Sequence, residues 1–176
     1  MHGGNFFVRS FKRFTIVAFV AAALTMSLTG VSAAAVDGPR QTDPPGGATP
    51  WSDCFYGHPL PSKNAYVNSF ANDHVRIGVA LRCGVHDSDD VDGWGVRHIK
   101  DGHGFDEYTE YCIQLIVGKT GSLTPGSGPR NQAFKYSAHG MTGTVIYNVD
   151  TKNVVTAYTS GTRGSGDWDG CVSRFS

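Results

Sequence analysis

Between Asp106 and Thr159 the apolar pattern changes its period once, and that change restricts the fold more than any other feature of the chain. The first half, "DEYTEYCIQLIVGKTG", sets Tyr108, Tyr111, Cys112, Leu115 and Ile116 at the three-and-four spacing of a buried helical stripe. Asp106 stands where an N-cap would. Glu107 and Glu110 suit the positive end of the helix dipole and Lys119 the negative end, while Gly118 and Gly121 offer a stop. The second half reads as strands. "AFKYSAH" alternates Phe134 and Tyr136 with Lys135 and Ser137, and "GTVIYNV" and "NVVTAYT" flank the turn-forming "DTK" as a hairpin. A helix followed by paired strands predicts an α+β fold and argues against a parallel α/β sheet.

Upstream, "HVRIGVALRCG" puts Val75, Ile77, Val79 and Leu81 on one side, a strand by its period of two. Residues 62–74 have a mixed pattern, with a helix expected around "KNAYVNSFANDH", and "SLTPGSGPR" reads as a loop.

The N-terminus has the order of a secretory signal: Arg9, Lys12 and Arg13, then the apolar "FTIVAFVAAALTMSL", then the small residues of "VSAAAVDG". Cleavage after Ala33 or Ala35 satisfies the small-x-small rule, and Ala35 is the expected site. The apolar run is short for a membrane span. The expected organisation is a signal over residues 1–35, a flexible Pro/Gly-rich lead-in over 36–50 and one domain over 51–176. The signal carries three basic residues and no acidic one, so its loss leaves a mildly acidic protein. Loose, non-specific polyanion binding is not predicted, and any contact with phosphate must be local.

Cys54, Cys83, Cys112 and Cys171 all follow the signal. An even count in an exported chain reads as two disulfides. Spacing alone leaves three pairings open; Cys54–Cys83 with Cys112–Cys171 is the working expectation, the second bond tying the C-terminus to the central helix. Zinc is disfavoured because no C-x-x-C pair exists. A calcium loop fails too. Counted from Asp87 in "VHDSDDVDGWG", position five is Val91, position six Asp92 and position twelve His98, where an EF-hand needs Asp or Asn, Gly and Glu. The stretch, with Asp87, Asp89, Asp90 and Asp92, reads as a solvated acidic loop.

"GVRHIKDGHG" then concentrates His98 and His103 with Arg97 and Lys100. A step of five places two helical side chains about 140° apart, whereas a helical metal pair needs a step of four. Gly102 argues against continuous helix. The segment therefore reads as a turn or short helical piece leading to the helix entry at Asp106, where backbone N–H groups favour an anion. Two histidines beside a phosphate divide acid and base work. The chemistry that most needs this without metal or cofactor is RNA cleavage. A base takes the ribose 2′-OH proton, the oxygen attacks phosphorus, and an acid protonates the departing 5′ oxygen. The products are a 2′,3′-cyclic phosphate and a 5′-hydroxyl. His58, His74, His86 and His139 show that the chain also uses histidine elsewhere.

The order "GWGVRHIKDGHG", helix, Gly-rich loop, strand and "GTVIYNVDTKNVVTAY" resembles the BECR nucleases, the barnase-, EndoU-, colicin- and RelE-like ribonucleases, many of which are C-terminal toxin modules of contact-dependent inhibition proteins. The resemblance covers about residues 80 to 160. It implies helices packed on a small antiparallel sheet, with the site on the sheet face. It also implies catalytic roles for His103, His98, Thr156, Tyr158 and Lys135, with His103 the better general base or acid, and substrate contacts from Arg97 and Lys100. Thr156 and Tyr158, two apart on one strand, share a face. RNA, including tRNA, is the implied substrate, an immunity or inhibitor protein an implied partner, and a secreted antibacterial monomer without stable membrane association the implied deployment. The chain departs from typical toxin modules in having its own signal and four cysteines, and in extending past the last strand with "SGTRGSGDWDGCVSRFS". Two rival classes stand beside the nuclease: a disulfide-stapled extracellular binding or inhibitor module without catalysis, and a metal-binding extracellular protein.

Overall fold

The hairpin expected near the C-terminus forms one end of a four-stranded antiparallel sheet in the order β3-β4-β5-β6: β3 (Leu123–Pro125), β4 (Asn131–Ala138), β5 (Met141–Asn148) and β6 (Val154–Ser160). The computed structural model describes residues 49–88, 91–161 and 163–176. The signal and nearly all of the lead-in lie outside the described residues.

Register divides the sheet into two working faces. Phe134, Val145 and Ala157 stand opposite one another, as do Tyr136, Gly143 and Thr159 in the next row of the same face. This face is covered by α3 (Thr109–Lys119) and α4 (Trp168–Phe175). Gly143 admits the approach: a Cβ there would overlap Ile116 and come within 2.8 Å of Phe175. Tyr136 meets Phe175 edge-on with ring centres 5.0 Å apart. The alternate rows, Lys135–Thr144–Tyr158 and Ala133–Ile146–Thr156, point to the other face. Between Ile146↔Thr156 and Tyr147↔Val154 the register slips at Val155. This bulge turns Val155 and Thr156, consecutive residues, toward one cleft.

A second, two-stranded sheet pairs β1 (Tyr66–Asn72) with β2 (Ile77–Arg82) and touches the large sheet through Ala80 N–H donating to Lys152 O at 2.8 Å. The strand at β2 matches its alternation. The helix expected around residues 62–74 is instead β1. Val67 is skipped in the register, so the buried residues Val67, Phe70 and Asn72 fall out of a clean period of two. Asn72 is buried at that end because its amide donates to Val117 O and, at 2.7 Å, to Thr120 O, closing the C-terminus of α3.

The helix from the "DEYTEYC" segment forms, with its face corrected. Thr109, Cys112, Ile113, Ile116 and Val117 are buried, while Tyr108 and Tyr111 are 44% and 47% exposed. The helix packs on β1, β4, β5 and α4, so a wide aliphatic face is covered and the tyrosines lie at its rim. Asp106 closes the turn before it. Its carboxylate accepts from Tyr108 N–H at 2.9 Å and its own N–H donates to Thr109 Oγ1 at 2.9 Å, while the N-cap position itself falls to Tyr108, two residues after the Asp106 expected there. Gly118 lies within the helix rather than ending it.

Two further elements differ from expectation. The "SLTPGSGPR" stretch contains β3, a strand of only three residues beginning a run of Gly and Pro. The C-terminal extension contains α4, anchored by buried Trp168, Cys171 and Phe175. Both disulfides take the expected pairing, Cys54–Cys83 and Cys112–Cys171, joining residues 29 and 59 apart in sequence. In the chain-entropy account, loops of this size contribute about 3–5 kcal/mol each by restricting the unfolded chain. All four cysteines are thus paired, as suits an oxidising compartment. Among the described residues no helix is long and apolar enough to cross a membrane.

Candidate active site

The short helix α2 (Gly95–His103) runs along β6 and carries both histidines. Of the turn or short helical piece expected, the structure takes the helix, and it is continuous through Gly102. Gly102 falls in the last turn facing open space, where its cost of about 1 kcal/mol relative to Ala is offset by the fully buried Val96 and Ile99. His103 continues the stripe of Val96 and Ile99 at i, i+3 and i+7. That phase, rather than the start of the next helix, explains its burial. It stands at the C-terminal end of α2, which ends at Gly104 with φ +72°.

The histidines project about 140° apart around the helix, yet their rings meet edge-on with centres 6.4 Å apart. The His103 ring also lies 5.3 Å from that of Tyr158, tilted by 40°. Its Nδ1 is buried without a hydrogen-bond partner among the described residues. Burial first, and then the neighbouring His98, push the His103 imidazole below its usual value, with Asp87 acting in the opposite direction. His103 is thereby held in the neutral form that accepts a proton.

His98 is set differently. Its Nδ1 lies 2.8 Å from Asp87 Oδ2. The other carboxylate oxygen, Oδ1, accepts from Gly93 N–H at 2.7 Å. The Gly93 bond, reinforced by His98, holds the Asp87 carboxyl below the usual range against the opposing effect of burial. An ionised Asp87 makes Nδ1 the donor and leaves Nε2 for proton transfer. Asp87 therefore has a specific partner, which its reading as part of a solvated acidic loop missed. Asp89 and Asp90 of that loop lie outside the described residues. Among the described residues no three side chains of metal-ligating type gather.

His98 and Thr156 line one cleft of ≈ 540 Å³, bordered by Asp87, Arg130, Asn131 and Asn148. Thr156 Oγ1 is buried and, like His103 Nδ1, has no partner among the described residues. Buried polar atoms are ordinarily satisfied; these two are exceptions on neighbouring elements, Thr156 on the cleft wall and His103 outside its lining. Tyr158, two residues on, shares the face of Thr156.

Comparison with family models, with curated proteins and with solved structures gives no match for this chain.

Three sequence-predicted residues stand apart from this cluster. Lys135 is exposed on the correct face and in the same row as Tyr158, but with β5 between them, which separates the backbones by about 10 Å. The cation on the cleft is Arg130, paired with Asp150 at 3.0 Å. Its signal was the "GPR" at the end of the Gly-rich loop. Arg97, expected as a substrate contact, is 8% exposed, and its guanidinium donates to Cys54 O, Gly84 O and Pro61 O at 3.0, 2.7 and 2.9 Å. It locks the N-terminal segment onto α2. Lys100 is likewise engaged elsewhere, its ammonium 5.9 Å from the Trp51 ring centre and 5.0 Å from that of Phe55.

The C-terminal extension supports the site from behind. Trp168 Nε1 donates to Gly104 O at 3.1 Å. Gly166, at φ +88°, lies so close to His103 O that a Cβ there would overlap it. Any side chain at 166 must displace the end of α2, and His103 with it.

Proposed function

We propose that this chain is a secreted, metal-independent endoribonuclease with the BECR-like arrangement its sequence resembles, and that it is suited to an antibacterial role. One observation carries the reading. A partly buried His103, its ring centre 5.3 Å from that of Tyr158, stands against a second histidine, His98, whose Nδ1 lies 2.8 Å from Asp87 Oδ2 and which lines the cleft that holds Thr156, a hydroxyl without a partner among the described residues.

The division of labour follows from the environments. His103, favoured in its neutral form, takes the proton from the ribose 2′-OH. The 2′ oxygen forms a bond to the adjacent phosphorus as the bond from phosphorus to the 5′ oxygen breaks. His98 Nε2 gives its proton to that leaving oxygen, with the charge of Asp87 against Nδ1 while the ring is cationic. Thr156 and Tyr158 donate hydroxyl hydrogen bonds to the phosphate oxygens, and Arg130 supplies positive charge as charge builds there. The products are a 2′,3′-cyclic phosphate and a 5′-hydroxyl.

The test is cleavage of RNA by the mature protein in EDTA, repeated with His98→Ala and His103→Ala. The reading expects cutting by the parent and its loss in both variants, each still folded. Intact RNA with the parent protein would favour the non-catalytic binding module instead.

A further inference from the structure

The catalytic cleft does not end at Asn148. A second cavity of ≈ 440 Å³ shares Asp92, Asn131, Asn148 and Val155 with it and continues to Lys63, Asn64, Trp94 and Asn153. From these shared walls we infer that the two cavities form one path for single-stranded RNA, and that the Trp94–Lys63 arm holds a second nucleotide next to the one whose phosphate is cut. The inference rests on the nuclease reading and names the form of its substrate.

The arm is lined for a nucleotide rather than for a peptide or an apolar ligand. Trp94 is part-exposed at its wall and offers a ring for stacking, which any base can use. The Asn153 side-chain oxygen is taken by Arg82 Nε at 3.0 Å, and its amide nitrogen has no partner among the described residues. Asn64 is exposed with its side-chain amide likewise free among the described residues. These groups meet base and ribose edges without selecting one base strictly.

Charge sets the polarity of the path. Asp92 is the shared acid at the junction, where a phosphate would be repelled. The neutral part of a nucleotide, with its base N–H donors, fits there instead. The two phosphates then lie at the two ends, one toward Arg130 and the other toward Lys63, which is exposed and free of any ion pair among the described residues. A duplex would present its bases inward and leave Trp94 nothing to stack on.

The experiment is binding of an all-2′-deoxy octanucleotide, which lacks the attacking hydroxyl and is not cut, followed by tryptophan fluorescence across a salt series. RNA cleavage is measured in parallel. The expected result is quenching that Trp94→Phe largely removes. Asn153→Ala should weaken binding about 5-fold. Lys63→Ala should weaken it by a similar factor and lower the slope of log affinity against log salt by about 0.7, as loss of one phosphate contact requires. A salt slope unchanged by Lys63→Ala, with RNA still cut, overturns the arm and leaves the nuclease reading standing. Lys63- and Trp94-dependent binding with no RNA cleavage supports the path and overturns the catalytic reading. Absence of octanucleotide binding by the parent protein overturns the inference outright.

Discussion

Asp87 reaches across eleven residues of sequence to hold His98 Nδ1 at 2.8 Å, so an acidic loop with no recognisable metal pattern becomes the partner that orients a candidate catalytic histidine. Gly93 N–H, donating to the same carboxylate at 2.7 Å, fixes Asp87 in turn. Asp87→Asn keeps the shape and removes the charge. The expected result is a fall in kcat of about 10- to 100-fold, less than the about 10⁴-fold of a buried triad aspartate because Asp87 is largely exposed. Steady-state cleavage of a defined RNA measures it.

His103→Ala is expected to lower the rate by about 10²- to 10⁴-fold while leaving the disulfide-bonded fold intact by circular dichroism. The pH dependence has a defined sign. A base pushed below the usual 6.5 stays neutral at lower pH, so the acidic limb of kcat/KM has its midpoint below 6.5. The same depression favours the folded state above the unfolded value. That stability is lost as pH falls from 6.5 through the folded pKa. Thermal melts of the parent and of His103→Ala between pH 7 and pH 4 should differ in slope over that window.

Gly166→Ala tests how His103 is held. The residue has φ +88° and a Cβ there would overlap His103 O, so the variant is strained and its helix end displaced. It should be less stable and less active than the parent. At a temperature where it is folded, kcat should fall more than KM rises if the displaced His103 is the proposed base.

Arg130 and Lys135 separate two versions of the site. Arg130→Ala should cost about 10-fold in kcat/KM, as loss of an exposed cation near the developing phosphate charge, and Lys135→Ala less than about 3-fold. The reverse order in steady-state kinetics would restore Lys135 to the role the family resemblance gives it.

Arg97→Ala addresses stability instead. It leaves the carbonyls of Cys54, Gly84 and Pro61 without their charged donor and should cost about 3 kcal/mol in denaturant unfolding. Arg97→Lys should recover only part of this, since an ammonium lacks the planar fork.

These residues show how far the sequence was readable. The helix, the hairpin of β5 and β6 and the shared face of Thr156 and Tyr158 are local patterns with fixed periods, and they stand in the structure. The strand β1 was hidden because its bulge at Val67 breaks the alternation that identifies a strand. Tyr108 and Tyr111 fit the helical period as well as Ile113 and Val117 do, and only the packing partners decide which set is buried. The contacts of Arg97, Lys100 and Asp87 were not legible for one reason. A charged side chain has no period, and its role depends on contacts such as Cys54 O, the Trp51 ring or His98, which are set by tertiary structure.

The central claim, that two histidines of this chain drive attack by a ribose hydroxyl, is tested most directly by the chemical ends of the RNA fragments made in EDTA. The account predicts 2′,3′-cyclic phosphate and 5′-hydroxyl ends, and no cut at a position carrying a 2′-deoxy substitution. Fragments with 5′-phosphate ends, or cutting that proceeds at the deoxy position, would contradict it.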